Sequence, residues 1–195
     1  DPKAVTFTSG ATEANALALS PEVGIEGRSQ RYEALLLSGV EHASVRAGGR
    51  FPPDKVKTIP VSLDGVVDLR ALERLLAKCR DAERPPFVSV MAANNETGVL
   101  QPIGEIAELV HAAGGILHSD AVQVAGRLPF DLAASGADLI SVSAHKIGGP
   151  QGAGALIARS EEIRVPPLIR GGGQERGRRA GTENVAAIAG FGAAA

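Results

Sequence analysis

The 195-residue sequence predicts an α/β fold, with a mostly parallel mixed sheet flanked by helices. Apolar runs of strand length alternate with segments of helical periodicity along the chain. Several of these runs end in a polar or charged residue, which is typical of parallel strands that deliver side chains to one edge of a sheet. Hydrophobic residues make up 44% of the chain and no internal repeat is present, so we expect residues 1–195 to form one domain.

Composition argues against several classes of function. The net charge is −2 and aromatic residues are 3% with no Trp, so neither a basic surface for nucleic acid nor a set of base-stacking side chains is expected. The single Cys excludes an internal disulfide and a multi-cysteine metal site. Without a signal-peptide pattern or a long apolar span, we expect no membrane partner and a cytoplasmic location.

The first part of the chain predicts a strand at Ala4–Thr8, a capping turn and a helical run at Ala14–Leu19. The free N–H groups of such a helix start can hold a phosphate, although a simple capped helix also explains the motif. A buried strand at Ala34–Ser38 runs into His42, which after a strand is more often structural than catalytic. Val56–Ser62 is the next predicted strand.

The middle of the chain predicts a helix over Asp68–Cys79, in which Asp68 is the N-cap and Cys79 lies on the apolar face. A thiol on that face is expected to be buried and a poor nucleophile. A buried strand at Phe87–Ala93 is followed by Asn94-Asn-Glu-Thr-Gly98, a turn whose amides lie where parallel sheets place their ligands. Ile103–Ala113 is the next predicted helix.

Two further strands end in chemically useful residues. Gly115–Asp120 ends in a carboxylate, which either caps a following helix or serves as a functional acid at the sheet edge. Asp138–Lys146 ends in a lysine at the edge of a cleft, where partial burial favours the neutral amine that attacks a carbonyl. The glycines of 148–154 then lead into a strand at Gly152–Arg159, which disfavours a dinucleotide-binding loop because that loop should precede a helix.

The segment Leu168–Asn184 differs from the rest of the chain. It has no periodicity, five glycines and four arginines, and it predicts either a solvated flexible loop or a basic loop that contacts a phosphate or a neighbouring subunit. An apolar run at Val185–Ala195 follows it. Since the chain begins almost directly on a strand and stops within this run, we expect a piece of a longer protein.

The candidate functional residues follow successive predicted strands, and a doubly wound sheet would bring them to one edge. They are Gly10, Ala11, Thr12, His42, Asn95, Asp120, Gln123, Ser143, His145 and Lys146. Pyridoxal phosphate (PLP) suits this set. It needs a lysine for its aldehyde, a carboxylate for its pyridine nitrogen, donors for its phenolate oxygen and a helix start for its phosphate.

Six motifs closely resemble those of the cysteine desulfurases, which are fold-type I, class V aminotransferase-like PLP enzymes. The motifs appear in family order across nearly the whole chain, and the last one is specific to desulfurases of this type. They are Thr8-Ser-Gly-Ala-Thr-Glu-Ala-Asn15, Glu41-His42, Asn94-Asn-Glu-Thr-Gly98, His118-Ser-Asp-Ala-Val-Gln123, Ser143-Ala-His-Lys146 and the segment from Arg170 to Asn184.

The resemblance implies a role for each candidate that would lie around the cofactor's ring. Lys146 would form the Schiff base and move the substrate Cα proton. Asp120 would pair with the pyridine N–H, and His42 would stack on the ring and assist proton transfer. Gln123 would hydrogen-bond the phenolate oxygen, with Asn95 near it and the substrate carboxylate.

The resemblance also implies a phosphate site and a homodimer. The phosphate would be held by Ala11, Thr12, Ser143 and His145. Thr182 would reach the phosphate bound in the other subunit. That arrangement would place the active site at the subunit interface. It favours the interpretation of Leu168–Asn184 as a basic loop that contacts a phosphate or a neighbouring subunit.

The implied reaction converts L-cysteine to L-alanine and leaves persulfide sulfur on the enzyme for a sulfur-acceptor protein, as in iron–sulfur cluster assembly. The family's persulfide-forming cysteine and substrate-binding arginine lie in a C-terminal small domain, and Cys79 matches neither the position nor the context of that cysteine. We therefore expect 1–195 to be a partial large domain that lacks the N-terminal segment and is inactive alone. A selenocysteine lyase, a related aminotransferase and a truncated cofactor-binding product are the alternatives.

Overall fold

The computed structural model describes residues 1–195 as a seven-stranded sheet, a separate two-stranded hairpin and the helices that cover them. The strands of the main sheet are β1 (Val5–Thr8), β4 (Ala34–Ser38), β5 (Val56–Ile59), β6 (Pro86–Ser89), β7 (Ile116–Asp120), β8 (Leu139–Ser143) and β9 (Gly154–Ala158). The hairpin is β2 (Glu22–Ile25) and β3 (Arg28–Arg31). The helices are α1 (Ala11–Ala18), α2 (Ala43–Arg46), α3 (Leu69–Asp81), α4 (Ile103–Ala112), α5 (Leu132–Ser135) and α6 (Val185–Ala194).

The main sheet has the strand order β1-β9-β8-β7-β6-β4-β5. Strands β5, β4, β6, β7 and β8 are parallel neighbours, and β9 lies antiparallel between β8 and β1. Only a short loop joins β8 to β9, and a connection this short permits an antiparallel pair but no parallel crossover. The predicted mostly parallel mixed sheet is therefore confirmed.

Alternate residues of the central strands pack on opposite faces of the sheet. Leu36 and Leu117 belong to the larger apolar cluster, which includes Ile106 of α4. Leu35 and Ile116 belong to the second cluster, together with residues of α1. Helix α1 therefore covers the face onto which the side chains of His118 and Asp120 also project, because they alternate with Leu117 along β7.

Several predicted elements are confirmed with shifted ends. Asp68 caps α3 by accepting a hydrogen bond from the N–H of Ala71 at 3.0 Å. Cys79 is buried, and burial raises the pKa of its thiol, so it is the poor nucleophile expected. The predicted helix at Ala14–Leu19 begins three residues earlier, because the first turn of α1 is polar and carries no apolar periodicity.

The hairpin of β2 and β3 was not predicted from the sequence. Strand β3, Arg28–Arg31, is entirely exposed and polar, so it has no alternation of apolar and polar residues that would identify a strand. The turn between the two strands places Glu26 and Gly27 at positive φ. The hairpin contacts the body of the molecule through an antiparallel bridge between Gly24 and Arg164.

The predicted loop at Leu168–Asn184 contains only a short 3₁₀ turn at Gln174–Gly177. Two of its residues, Glu175 and Arg176, have left-handed backbone angles with φ of 49° and 58°. Left-handed backbone in non-glycine residues costs free energy and marks a segment held by its contacts. The apolar run after the loop forms α6, and none of the helices is long and apolar enough to cross a membrane.

Candidate active site

A cavity of about 540 Å³ lies where β7 and β8 end and α1 begins. This volume suits a small organic ligand. Nine of the ten residues to which the resemblance gives a role line it: Ala11, Thr12, His42, Asn95, Asp120, Gln123, Ser143, His145 and Lys146. Gly10 lines it as well. These residues are spread over 136 positions of sequence, from Ala11 to Lys146. They lie together at one edge of the sheet, as expected for residues that follow parallel strands.

Asp120 is the last residue of β7 and only 5% exposed. One carboxylate oxygen accepts a hydrogen bond from Nδ2 of Asn15 at 2.8 Å, and the other accepts one from the N–H of Val122 at 3.1 Å. Burial raises the pKa of Asp120, while these two donors and the nearby His42 act in the opposite direction. Both donors favour the ionised carboxylate and so oppose the effect of burial.

His42 is the N-cap residue of α2, and its ring is exposed to the cavity. Its Nδ1 lies 2.7 Å from Oγ of Ser44 and accepts the backbone N–H of Ser44 at 3.2 Å. These contacts hold one edge of the imidazole against the helix start. The other edge, with Nε2, is left without a protein partner.

Two amide side chains on the cavity wall differ in their hydrogen bonds to neighbouring residues. The Oε1 of Gln123 accepts a hydrogen bond from the guanidinium of Arg127, which leaves the amide N–H groups of Gln123 free to donate. Asn95 is exposed and donates to the carboxylate of Glu96 at 2.7 Å. Gln123 thus keeps its amide donors available at the cavity wall, whereas Asn95 is turned toward its neighbour.

One corner of the cavity collects donors that suit an anion. The first N–H groups of α1, which include Ala11 and Thr12, have no acceptors within the helix. Oγ of Ser143 lies 2.9 Å from Nδ1 of His145 on the facing segment. Strand β9 approaches closely here, since a Cβ on Gly154 would lie 2.6 Å from the backbone of Gly10. Only a glycine permits this approach, which brings the helix start next to the β8–β9 loop.

Lys146 ends a 3₁₀ turn that follows β8 directly. Its side chain is half-buried and lines the cavity. The Nζ atom has no carboxylate within 4.0 Å and no hydrogen-bond partner in the protein. A lysine amine without an ionic partner, at the rim of a cleft, is available to form a covalent bond with a carbonyl.

Thr182, the tenth predicted residue, does not line this cavity. It lies in a smaller adjoining pocket of about 220 Å³, together with Glu175 and Arg179. Ser9 and Gly152 line both spaces. Within one chain, Thr182 is therefore next to the anion corner but separated from the nine other residues.

Sequence reasoning missed several residues that organise the cavity. Asn15 lies within one of the motifs used for the resemblance and Ser44 lies two residues after another, but nothing in their spacing indicated that they meet. Glu41 is 4% exposed, and its Oε1 accepts hydrogen bonds from Ser38 Oγ at 2.5 Å and from the N–H of Met91 at 2.8 Å. Burial raises the pKa of Glu41 to about 8. The Glu41-His42 pair was a visible signal, but only the histidine received a role.

The comparison with known protein families decides the classification. The family model for aminotransferase class-V matches residues 1–195. The chain belongs to the aminotransferase class-V family. A fold-type I assignment, predicted from the motifs, is confirmed by this match and by the solved structures below.

Individual relatives in this family are cysteine desulfurases. The chain is 43% identical to a cysteine desulfurase of Sinorhizobium fredii over 199 aligned residues, which cover all of this chain and 49% of the relative. It is 40% identical to the cysteine desulfurase IscS of Rickettsia felis, covering 47% of that protein. A solved NifS-like protein of Rickettsia africae superposes with a TM-score of 0.84 at 42% identity, covering 97% of this chain and 49% of the other. The chain thus spans about half the length of the relatives it matches.

Proposed function

We propose that this chain is the cofactor-binding, large-domain portion of a PLP-dependent cysteine desulfurase. One observation carries the proposal: an unpaired Lys146 and a buried Asp120 share one cavity with an anion-binding helix start. The names of the relatives supply the reaction, and the half-length coverage assigns turnover to a longer protein. A selenocysteine lyase, an aminotransferase or a non-catalytic product would use the same cavity, but no contact favours any of them.

The residues of the cavity fit PLP. Asp120 is a buried carboxylate, of the kind that holds a proton on a pyridine nitrogen. The start of α1, with Ser143 and His145 opposite, suits a phosphate. The free amide N–H groups of Gln123 suit a phenolate oxygen, because Arg127 already occupies the amide oxygen. When bound, PLP would supply an electron sink for charge developing at the substrate Cα.

In this proposal each side chain has a distinct task. Lys146 would hold the aldehyde through Nζ and, with substrate bound, would act as the base that moves the proton at the substrate Cα. The Asp120 carboxylate would hold a proton at the pyridine nitrogen, and His42 would help to hold the cofactor and exclude water from it. Asn95 would have to turn away from Glu96 to meet the substrate carboxylate.

The sulfur-accepting thiol is proposed to lie outside this chain. Cys79 is the only cysteine, it is buried on α3 and it does not line the cavity. Burial raises the pKa of its thiol, which disfavours the thiolate needed for attack on sulfur. The products, L-alanine and persulfide sulfur for an acceptor protein of iron–sulfur cluster assembly, therefore require the remainder of the longer protein. A cytoplasmic location is part of the same proposal.

The proposed assembly is a homodimer. Thr182 opens onto its own pocket beside the anion corner, which supports a contribution to the corner of a second copy. Val185, next to the same loop, is 71% exposed at the start of the apolar helix α6 and offers apolar surface to a second copy. Sedimentation of the cofactor-loaded protein would measure its oligomeric state.

Absorption spectroscopy tests the cofactor assignment. Protein mixed with PLP should develop a visible band, and borohydride should fix the cofactor on Lys146, as located by peptide mass spectrometry. Lys146→Arg keeps the charge but removes the reactive amine, so the band and the label should both be lost. Lys57→Ala, which removes an exposed lysine on β5, is the matched control and should retain both. A band that survives in Lys146→Arg would refute the assignment.

Product analysis tests the reaction. With a thiol reductant added to release the persulfide sulfur as sulfide, the longer protein should convert L-cysteine to L-alanine and sulfide in equal amounts, whereas a keto acid product would indicate an aminotransferase. Sulfide release by the 195-residue chain alone would contradict the external thiol.

A further inference from the structure

Three hydrogen bonds form a continuous chain from Asp120 to His42 through two residues that have no role in the chemistry above. Nδ2 of Asn15 donates to Oδ2 of Asp120 at 2.8 Å. The same nitrogen donates to Oγ of Ser44 at 2.9 Å, and Oγ of Ser44 lies 2.7 Å from Nδ1 of His42. The chain joins α1, β7 and α2 and connects two opposite walls of the cavity.

The carboxylate of Asp120 sets which group donates and which accepts in each of these hydrogen bonds. An ionised carboxylate can only accept hydrogen bonds, so the amide of Asn15 must present its NH₂ group to it. The orientation of an amide is otherwise ambiguous, and here its charged partner resolves it. Since NH₂ is a donor and not an acceptor, Ser44 must accept from Asn15 with an oxygen lone pair.

The hydrogen bond that Ser44 accepts from Asn15 also decides which group donates between Ser44 and His42. Its hydroxyl has a single proton, and with Asn15 donating to the oxygen, that proton is free to be donated to Nδ1 of His42. The backbone N–H of Ser44 also donates to Nδ1, at 3.2 Å. Nδ1 therefore accepts hydrogen bonds, and a neutral His42 carries its proton on Nε2.

The burial of Asn15 shows that the arrangement has an energetic cost. Asn15 is 1% exposed within an otherwise apolar part of α1, and its Oδ1 has no hydrogen-bond partner. A buried amide oxygen without a partner is destabilising, because it has lost its hydrogen bonds to water. An apolar residue would avoid this cost, so the two bonds donated by Nδ2 are the feature that distinguishes Asn15 at this position.

We infer that Asn15 and Ser44 form a positioning relay through which the Asp120 carboxylate holds His42 in the tautomer protonated at Nε2. The relay belongs to this chain and is present without cofactor, but its use rests on the proposed function. In that function it presents a defined N–H, at the free edge of the imidazole, to the contents of the cavity. Asn15 and Ser44 line the same cavity, and in this inference they act through Asp120 and His42 as positioning residues.

Nitrogen NMR of the cofactor-free chain, labelled with ¹⁵N-histidine, tests the relay. The spectra are recorded at a pH of about 9, well above the ordinary pKa of an imidazole. The His42 resonances are assigned by their loss in His42→Gln. We expect protonated Nε2 and an unprotonated Nδ1 whose resonance is displaced by accepted hydrogen bonds. A protonated Nδ1 overturns the inference.

Variants test whether the relay extends beyond Ser44. Ser44→Ala removes the hydroxyl and should shift the Nδ1 resonance toward that of an unbonded nitrogen, while Ser44→Thr restores the hydroxyl and the wild-type position. Asn15→Ala should also shift it, and the double variant should shift it no further than the larger single change. An unchanged resonance in Asn15→Ala overturns the relay.

A second variant covers the case in which Asn15→Ala does not fold. Asp120→Asn replaces the acceptor-only carboxylate by an amide, so the orientation of Asn15 is no longer fixed and the His42 resonance should broaden or shift. An unchanged His42 signal in this variant also overturns the relay. Ser143→Ala is the matched control, because it removes the hydroxyl beside Nδ1 of His145 and should leave His42 unaltered. These spectra need no PLP, so failure of cofactor binding and failure of the relay are separate results.

Discussion

The cavity at the end of β7 and β8 and the loop at 168–184 are both rich in predicted functional residues, but they are held in different ways. The cavity residues sit at strand ends and are connected by buried hydrogen bonds, such as those of Asp120 and Glu41. The loop has no regular element longer than a short 3₁₀ turn and is tethered by side chains.

Three tethers attach the loop to the N-terminal part of the chain. Arg179 forms an ion pair with Glu13 at 2.8 Å, and both side chains are largely buried, at 20% and 12% exposure. A carboxylate oxygen of Glu175 accepts the N–H of Phe7 at 2.9 Å. The guanidinium of Arg178 donates to the backbone carbonyl of Lys3 at 2.6 Å.

This difference teaches which part of the site is preorganised. The sheet fixes the cavity through many backbone hydrogen bonds, so its side chains are in place before any ligand arrives. The loop depends on a few side-chain contacts, and its strained residues, Glu175 and Arg176, persist only while those contacts do. Loss of a cavity residue should therefore affect chemistry, whereas loss of a tether should affect stability and assembly.

The largest effect is expected from Asp120→Asn. Without the carboxylate, a pyridine nitrogen in the cavity loses the partner that keeps it protonated, and proton transfer at the substrate Cα should slow by about 100-fold or more. Exchange of the Cα proton of L-alanine with deuterated solvent, in cofactor-loaded protein, measures this step. Asp138→Asn changes a buried aspartate outside the cavity and should leave the exchange rate within a few-fold. Equal losses of exchange rate in both variants would indicate a general disruption of the fold instead.

Glu41→Gln should change how stability depends on pH. Burial raises the pKa of Glu41 from 4.5 to about 8, so between these values the folded state keeps a proton that the unfolded state has released. The stabilising contribution is complete below the unfolded pKa and is lost as the pH rises through the folded one. The wild-type free energy of unfolding should fall by up to about 1.4 kcal/mol per pH unit in this window from this group, and Glu41→Gln should remove that slope.

Urea unfolding at several pH values from 5 to 9 measures the slope. Glu73→Gln, an exposed glutamate on α3, is the control and should keep the wild-type slope. Identical slopes in wild type and Glu41→Gln would mean that Glu41 is ionised in the folded protein.

Arg179→Gln should loosen the loop. Burial alone would raise the pKa of Glu13, but hydrogen bonds from Arg179 and Ser9 outweigh it and hold that pKa below its usual value. The variant leaves Glu13 without its cation, at a cost of about 1–2 kcal/mol. Protease cleavage within 170–184 should accelerate. Arg31→Gln breaks an exposed pair with Glu22 and should cost less than about 0.5 kcal/mol.

The smallest effect is expected from Thr182→Ala. The Thr182 side chain takes part in no tether, so the unfolding free energy should change by no more than about 0.5 kcal/mol. If a second copy uses this hydroxyl for its phosphate, PLP affinity should fall several-fold in the dimer, and Thr182→Ser should restore it. Unchanged affinity in a protein that sediments as a dimer would remove Thr182 from the proposed site.

Strand-end reasoning worked for the cavity because it depends on a rule of topology. His42, Asp120 and Lys146 each follow a buried apolar run, and parallel strands bring such positions to one edge whatever the intervening sequence. The hairpin at Glu22–Arg31 escaped prediction because an exposed, polar strand pair has no apolar periodicity. The resemblance of six motifs supplied the family, which the family match confirms.

The sequence by itself determined the mostly parallel sheet, the burial of Cys79 and the gathering of nine site residues, because the burial pattern of each element and the residue that follows each strand are recorded in the local sequence. Only the tertiary structure placed Asn15 between Asp120 and Ser44, joined Arg179 to Glu13 across 166 positions, and separated Thr182 from the main cavity. Such contacts depend on how elements distant in the chain pack in three dimensions, and no periodicity within a single element records them.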